Sequence, residues 1–484
     1  MEKERKCSIT HITYKETLCN NLNLLFKKIV FSVMIFLLIF LIVNFNNISY
    51  ADLEYGNLQY EDLEYANLQY ADLEDNEQVD LNEIQTELQN ETKNIIQTET
   101  QENLQNGTQG NSQNTAIETS SNSIEIPKQN ARIGLIFDRN SKTILYEKNG
   151  LKQVPMASTT KIMTAIVVLE NANLKDVVTI EKKAAGTGGS RLGLKLNDKI
   201  TVHDLLYGLL LESGNDAAVA LAIHIGGSVE GFSDLMNAKA KELGLLNSHF
   251  TSPHGLDQEG HYTTAYELAC MADYALNIPK FKEIVSTKYY TVTINGSSKQ
   301  ISNTNELLGN LDGVYGVKTG FTNGAGRCLV TACKRGNLDI ITVVLGSDTK
   351  KIRTSDSIKL IEYAYKNYEV INLEEKVKEQ FEKWKQLNEK RIYINKGTSN
   401  YVSIDMSELK CKQIALRKDK IDNIRIEINS LYYLEAPVKT GQVIGTVKVI
   451  NGDETIEVLD IIVQKDIAKK EVIDYFIDFL SLVP

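Results

Sequence analysis

Apolar and polar positions follow different periods along the chain, and the changes of period mark out its parts. Folded sequence starts near Asn130. Ile133–Phe137 reads as a strand, Asp138-Arg139-Asn140 as a turn, and Thr143–Tyr146 as the partner strand. Beyond Pro155 the apolar run Ile162–Leu169 is long enough for a buried helix, and helices are expected at 202–211 (VHDLLYGLLL) and 216–225 (DAAVALAIHI). Val314–Phe321 reads as a strand edge, and strands return at 327–334 and 339–345. The order is two strands, many helices, then two or three strands. Such a sheet can close with its first strands beside its last and helices packed on it, a mixed α/β architecture.

The texture changes after about Glu374. Short strand-like pieces (RIYINKG, YVSIDM, CKQIAL, IRIEIN, GQVIGTVKVI) alternate with polar turns and predict a small all-β domain over 371–464. In the tail, 465–484, Ile473, Phe476, Ile477 and Leu480 fall on one helical face, which Phe479 and Leu482 widen. That helix either lies on a membrane surface or packs against its own protein.

The first 125 residues have a different character. Residues 1–28 carry six Lys or Arg against three Glu and precede an apolar run, Ile29–Val43, broken only by Ser32. The run is short for a spanning helix, which needs about 20 residues. A signal-peptide core and a retained anchor within 29–45 are the two readings, and the positive flank places the remainder outside in both. Residues 51–75 repeat a five-residue unit centred on Leu and resemble a pentapeptide repeat, too few for a continuous core. Residues 51–92 hold thirteen Asp or Glu and no Lys or Arg, so an acidic stalk is expected. A polar linker rich in Gln, Asn, Thr and Ser follows to about residue 125.

Charge and cysteine usage narrow the function classes. The chain of 484 residues has a formal charge of -10, which argues against a nucleic-acid partner. Cys7, Cys19, Cys270, Cys328, Cys333 and Cys411 have no CxxC spacing, so neither a metal knuckle nor a disulfide framework is indicated, and Cys328 and Cys333 read as buried free thiols. His249, His254 and His261 match no zinc spacing. No cofactor is expected.

Three polar motifs interrupt the apolar texture. Ser158 and Lys161 stand three residues apart at a helix start, where side chains share a face. A serine hydroxyl needs a base to become a nucleophile, and a lysine in a dry site can be that base. Alone, the pair is equally an N-cap serine and an exposed lysine. Ser213-Gly214-Asn215 lies between two helical runs, with Gly214 expected to make a tight turn that leaves Ser213 and Asn215 at a loop tip. A hydroxyl there can relay a proton to a leaving amine, and an amide can hold a lysine and a substrate carbonyl; a capped turn is the plainer alternative. In Lys318-Thr319-Gly320, the glycine permits close approach to the backbone and the edge can pair with an extended peptide. Lys318 and Thr319 suit a carboxylate, and the Phe321 amide suits an oxyanion; alone, an ordinary lysine-glycine turn is the plainer alternative.

Together, in this order, the motifs resemble the S-x-x-K, S-x-N and K-T-G set of serine penicillin-recognising enzymes. With Arg191-Leu192-Gly193, Pro253-His254-Gly255-Leu256 and KTGFTNGAGRCLVTACKR, the chain resembles the D-alanyl-D-alanine carboxypeptidases of the low-molecular-weight penicillin-binding proteins, peptidase family S11. The resemblance covers about 125–370 strongly and the later segments less specifically. It implies a β-lactamase/transpeptidase-like fold over 126–370, acylation of Ser158 by a peptidoglycan stem peptide ending in D-Ala-D-Ala, Lys161 as base, and Ser213 as proton relay. It further implies that Asn215, Lys318, Thr319, Gly320 and Phe321 bind substrate, and that β-lactams acylate the same serine. Residues 1–124 fall outside the resemblance; the apolar run and its positive flank place the enzyme on the extracytoplasmic face of the bacterial cell membrane or in the cell wall, exported or anchored through the N-terminal segment, with the C-terminal helix in one reading a further membrane contact.

Rivals are a β-lactamase, a transpeptidase and a non-catalytic wall-binding module. Between Ser213 and Lys318, the deacylating-glutamate pattern occurs only as Glu306–Asn310, twelve residues before Lys318, and is read as chance. A second K-T-G, Lys439-Thr440-Gly441, sits in the β-domain and is read as a strand-joining turn. His254 is expected to serve its loop and not the proton path.

Overall fold

The computed structural model describes residues 83, 84, 86 and 126–481. The apolar run, the acidic repeats and the rest of the polar linker lie outside the described residues. At the heart of the fold is a five-stranded antiparallel sheet. Its strands are β1 (Ile133–Asp138), β2 (Ile144–Lys148), β3 (Val314–Thr322), β4 (Gly326–Arg335) and β5 (Leu338–Ser347), in the order β2-β1-β5-β4-β3. The first strands therefore stand beside the last, as the element order predicts. Ile133–Asp138 pairs along its length with Ile340–Leu345. Both strands are buried throughout, because helices cover both faces of the sheet.

On one face lies the helical part: α1 (Lys161–Asn171), α2 (Val202–Leu210), α3 (Asn215–Gly226) and α4 (Ala265–Leu276), with further helices at Val229–Glu242 and Pro279–Val285. Helix α1 is buried over Lys161–Val168, all the way round, and forms the centre of this layer. On the other face lies α5 (Lys350–Asn367), packed on Leu329, Cys333, Ile340 and Val344. Its buried Asp356 accepts from the Asn130 and Ala131 amides and so ties the chain just before β1 to α5. Cys328 and Cys333 are buried free thiols.

The chain continues from α5 straight into the strand Tyr368–Asn372, which pairs with Gln413–Arg417. The C-terminal domain has a separate core and a four-stranded sheet built from Ile404–Met406, Glu454–Val463, Val443–Asn451 and Ile424–Ser430, in that spatial order. It opens with an unanticipated helix, Leu373–Asn388. The cause is local: Asn372 caps it by accepting from the Glu375 amide, and Leu373, Val377 and Phe381 recur every four residues toward the core. A final helix spans Val472–Ser481 and exposes Val472, Ile473, Phe476 and Ile477. Among the described residues no helix is long and apolar enough to cross a membrane.

Candidate active site

The three motifs, far apart in sequence, converge where the helical layer meets the sheet edge. Ser158 sits in a 3-10 turn, Ala157–Thr160, that leads directly into α1. In a 3-10 turn residues three apart eclipse each other. Lys161 Nζ therefore lies 2.8 Å from Ser158 Oγ. The turn is entered through Ala157 in the left-handed region, φ +48°.

Lys161 is fully buried. Its Nζ also lies 2.7 Å from Asn215 Oδ1 and 3.0 Å from the His254 carbonyl. Both of these oxygens only accept. A neutral amine has two N–H donors and one lone pair, so two donors reach Asn215 and His254 and the lone pair faces the Ser158 hydroxyl. Burial, then the Lys318 charge, hold Lys161 well below its ordinary pKa, with Asp216 opposing. The amide of Asn215 is oriented by donating from Nδ2 to the Gly188 carbonyl at 2.7 Å. Gly189, at φ +76°, leaves the room: a Cβ there would stand 2.7 Å from Asn215 Nδ2.

The Ser213 turn corrects one expectation. Ser213 itself adopts the left-handed conformation, φ +62°, while Gly214 does not. The Gly214 and Asn215 amides are pinned to the Gly208 and Ser190 carbonyls, which leaves the unusual angle to Ser213. Gly214 is needed for closeness, since a Cβ there would meet Asp216 Oδ1 at 2.9 Å and the Leu192 amide at 3.1 Å. Asn215 is the first residue of α3 and not part of a loop tip.

Lys318-Thr319-Gly320 lies on β3, the edge strand. Gly320 packs on the Ala157–Thr160 turn, where a Cβ would come within 3.0 Å of the Ser158 nitrogen. The side chain of Lys318 is fully buried, its Nζ donating to the Thr319 carbonyl at 3.0 Å, and burial followed by the Arg353 charge lowers its pKa to about 7. Thr319 Oγ1 lies 2.7 Å from Thr304 Oγ1. The Arg327 guanidinium stacks on the Phe321 ring at 3.8 Å. Two buried cations beside an open strand edge can hold an anionic chain end.

Several contributors lie outside the three motifs. Asp216, buried and next to the second motif, accepts from the Leu192, Gly193, Leu194 and Ala217 amides and fastens the 191–194 segment behind the site. A lone acid ahead of an apolar helix was a readable sign that a partner existed. Arg353 on α5 is buried and pairs with Glu306 at 2.6 Å, so the glutamate of the chance ELLGN match is engaged there. Segment 253–257 ties the two halves of the site: the Pro253 carbonyl accepts from Thr164 Oγ1, and Asp257 accepts from Thr322 Oγ1 and the Gly324 amide. His254 contributes its carbonyl to Lys161, while its ring, lowered to about 3 by burial and then Lys161, accepts from the Leu256 amide. Lys439 is exposed in the C-terminal domain and pairs with Asp466. Among the described residues no group of His, Cys, Asp and Glu could hold a metal ion.

Known proteins share this plan. The family described as D-alanyl-D-alanine carboxypeptidase matches residues 119–349, and that described as penicillin-binding protein 5, C-terminal domain, matches 374–469. The D-alanyl-D-alanine carboxypeptidase DacF of Bacillus subtilis is 33% identical over 357 residues, covering 72% of this chain and 88% of its own. DacC of Escherichia coli, with the same description, is 32% identical over 363 residues, covering 72% and 87%. Among solved structures, penicillin binding protein 5 from Haemophilus influenzae is 30% identical with a TM-score of 0.58, covering 72% of this chain and 100% of that one. The carboxypeptidase DacD from Francisella tularensis is 28% identical with a TM-score of 0.57, covering 72% and 96%.

Proposed function

The chain belongs to the D-alanyl-D-alanine carboxypeptidase family, peptidase S11, and from that premise we propose how its own residues carry the reaction. It is a serine-type carboxypeptidase of cell-wall metabolism. In our reading Ser158 Oγ attacks the carbonyl of the penultimate D-Ala of a stem peptide, and the Lys161 lone pair takes its proton. The observation that carries this is the placement of Lys161 Nζ: buried, 2.8 Å from Ser158 Oγ, with its two other neighbours able only to accept. Ser213 returns a proton to the departing D-Ala. The amides of Ser158 and Phe321 face the oxyanion, and the close approach of Gly320 to the Ser158 nitrogen supports that pairing. Asn215 holds Lys161 and the substrate amide. Lys318 and Thr319, with the charge of Arg353 behind them, receive the terminal carboxylate, and the peptide lies along the β3 edge. Water then releases the acyl group. A β-lactam forms the same ester and deacylates slowly.

Domain roles follow the same reading. Residues 126–370 do the chemistry, 371–464 support it, and the N-terminal segment attaches the enzyme to the outer face of the cytoplasmic membrane. The exposed apolar side chains of Val472, Ile473, Phe476 and Ile477 support a second attachment through the C-terminal helix. The test is release of free D-Ala from a stem peptide ending in D-Ala-D-Ala, with Ser158→Ala run beside the parent protein. Release by the parent alone supports the assignment. Release by both refutes Ser158 as nucleophile.

A further inference from the structure

Behind the nucleophile turn lies a short chain of hydrogen bonds with a defined direction. Thr160 Oγ1 lies 2.8 Å from the Ala157 carbonyl and 2.8 Å from His261 Nε2. Both residues are buried. A carbonyl only accepts, so the single Thr160 proton goes to Ala157, and the hydroxyl must accept from His261. The other side of the imidazole agrees. His261 Nδ1 lies 3.1 Å from the Thr251 amide, which can only donate, so the ring proton is on Nε2. Burial first, then the His249 and Lys161 charges, lower this ring to about 4 and keep it neutral near pH 7. Phe250 meets it edge-on at 5.9 Å.

The end of this chain matters because the Ala157 carbonyl belongs to the same peptide unit as the Ser158 amide. A peptide whose carbonyl accepts a hydrogen bond becomes a stronger N–H donor, since successive bonds polarise one another. The unit is also held sterically. Gly255, at φ +84°, presses on it so closely that a Cβ would stand 2.0 Å from the Ala157 oxygen and 2.4 Å from Thr160 Oγ1. We infer that Thr160 and His261 are positioning residues that orient and polarise the Ala157–Ser158 peptide, and so strengthen the Ser158 amide as an oxyanion donor. The inference rests on the assignment of Ser158 as the acylated serine.

The expected size is modest. Removing an oxyanion donor outright costs roughly 10²–10³ in rate. Polarisation adds about 10–30% to a bond. On a logarithmic scale that is a loss of roughly two- to eightfold in kcat, with KM unchanged, because the oxyanion exists only in the transition state.

The experiment compares the parent protein with Thr160→Val, Thr160→Ser and His261→Phe. It measures steady-state D-Ala release and the isotope-edited infrared ester stretch of the penicilloyl-enzyme. Thr160→Val and His261→Phe should slow kcat at constant KM and move the ester stretch to higher wavenumber. Thr160→Ser keeps the hydroxyl and should restore both. If Thr160→Val does not fold, the Phe and Ser variants carry the same contrast. Unchanged kcat and stretch, or a Ser variant no better than Val or Phe, would overturn the inference while leaving the Ser158 assignment standing. A parent protein that neither releases D-Ala nor takes up penicillin would remove that assignment and this inference with it.

Discussion

The tripeptide Lys-Thr-Gly occurs twice in the chain, and the two copies differ in nearly every physical respect. Lys318 is buried on a sheet edge, and that burial followed by the Arg353 charge lowers its pKa to about 7. Lys439 lies in an exposed turn against Asp466, whose carboxyl is pulled down to about 2 by the Thr440 amide and hydroxyl and by Lys439. One copy is an unneutralised charge kept from water; the other is a solvated ion pair of the kind that contributes little. Three identical residues thus acquire chemistry from burial and neighbours. Their order in the chain does not supply it.

The sharpest way to break this comparison is substitution. Lys161→Ala should lower D-Ala release roughly 10⁴-fold or more, as loss of a base acting as a unit with its nucleophile does. Lys318→Ala should cost roughly 10²–10³, whereas Lys439→Ala should leave the rate unchanged. Equal losses at 318 and 439 would void the distinction. Next in size is the pH profile of kcat/KM. In the proposed reaction Lys161 must be neutral, so the rate should climb as pH rises through its depressed pKa. Lys318 must be charged, so the rate falls above about 7. Lys318→Arg should carry that alkaline limb to higher pH, and an unmoved limb would mean that Lys318 is not its source.

Stability gives a third contrast. Unfolding returns Lys318 to its ordinary value near 10.5. The unfolded chain then binds more protons between about 7 and 10.5, so this residue's contribution rises with pH across that window and is lost as pH falls toward 7. Lys318→Met should therefore raise Tm near pH 7 and flatten its dependence on pH, and thermal melts at several pH values test this. The smallest effect belongs to the solvated copy: Asp466→Asn should leave Tm within scatter. Asp216→Asn, which weakens four amide contacts, three of them buried, should lower it clearly.

The same contrast explains what could be read in advance. Ser158, Lys161, Ser213, Asn215 and Lys318 announce themselves because polar residues at fixed spacing interrupt apolar runs. The sheet could be closed from element order alone. What escaped depends on contacts between distant segments: Thr164 with Pro253, Asp257 with Thr322, and Arg353 with Glu306. Nothing local in any of these residues specifies its partner. Gly214 misled for a related reason, since glycine suits both a left-handed turn and a tight approach, and only the neighbouring chain decides which. The helix Leu373–Asn388 was legible in its cap and its four-residue spacing, but its charged faces leave a narrow apolar stripe that the surrounding strand-like pieces obscured.

The left-handed angles at Ala157 and Ser213 bear on how this enzyme would evolve. Both residues occupy a conformation that glycine adopts freely and other residues enter at a cost of about 1–2 kcal/mol. A library selected only for heat resistance should therefore drift toward Gly at 213, gaining stability while discarding the hydroxyl. Selection for growth on a cell wall in need of trimming would push the other way. The backbone at Ser213 records which of the two pressures has prevailed.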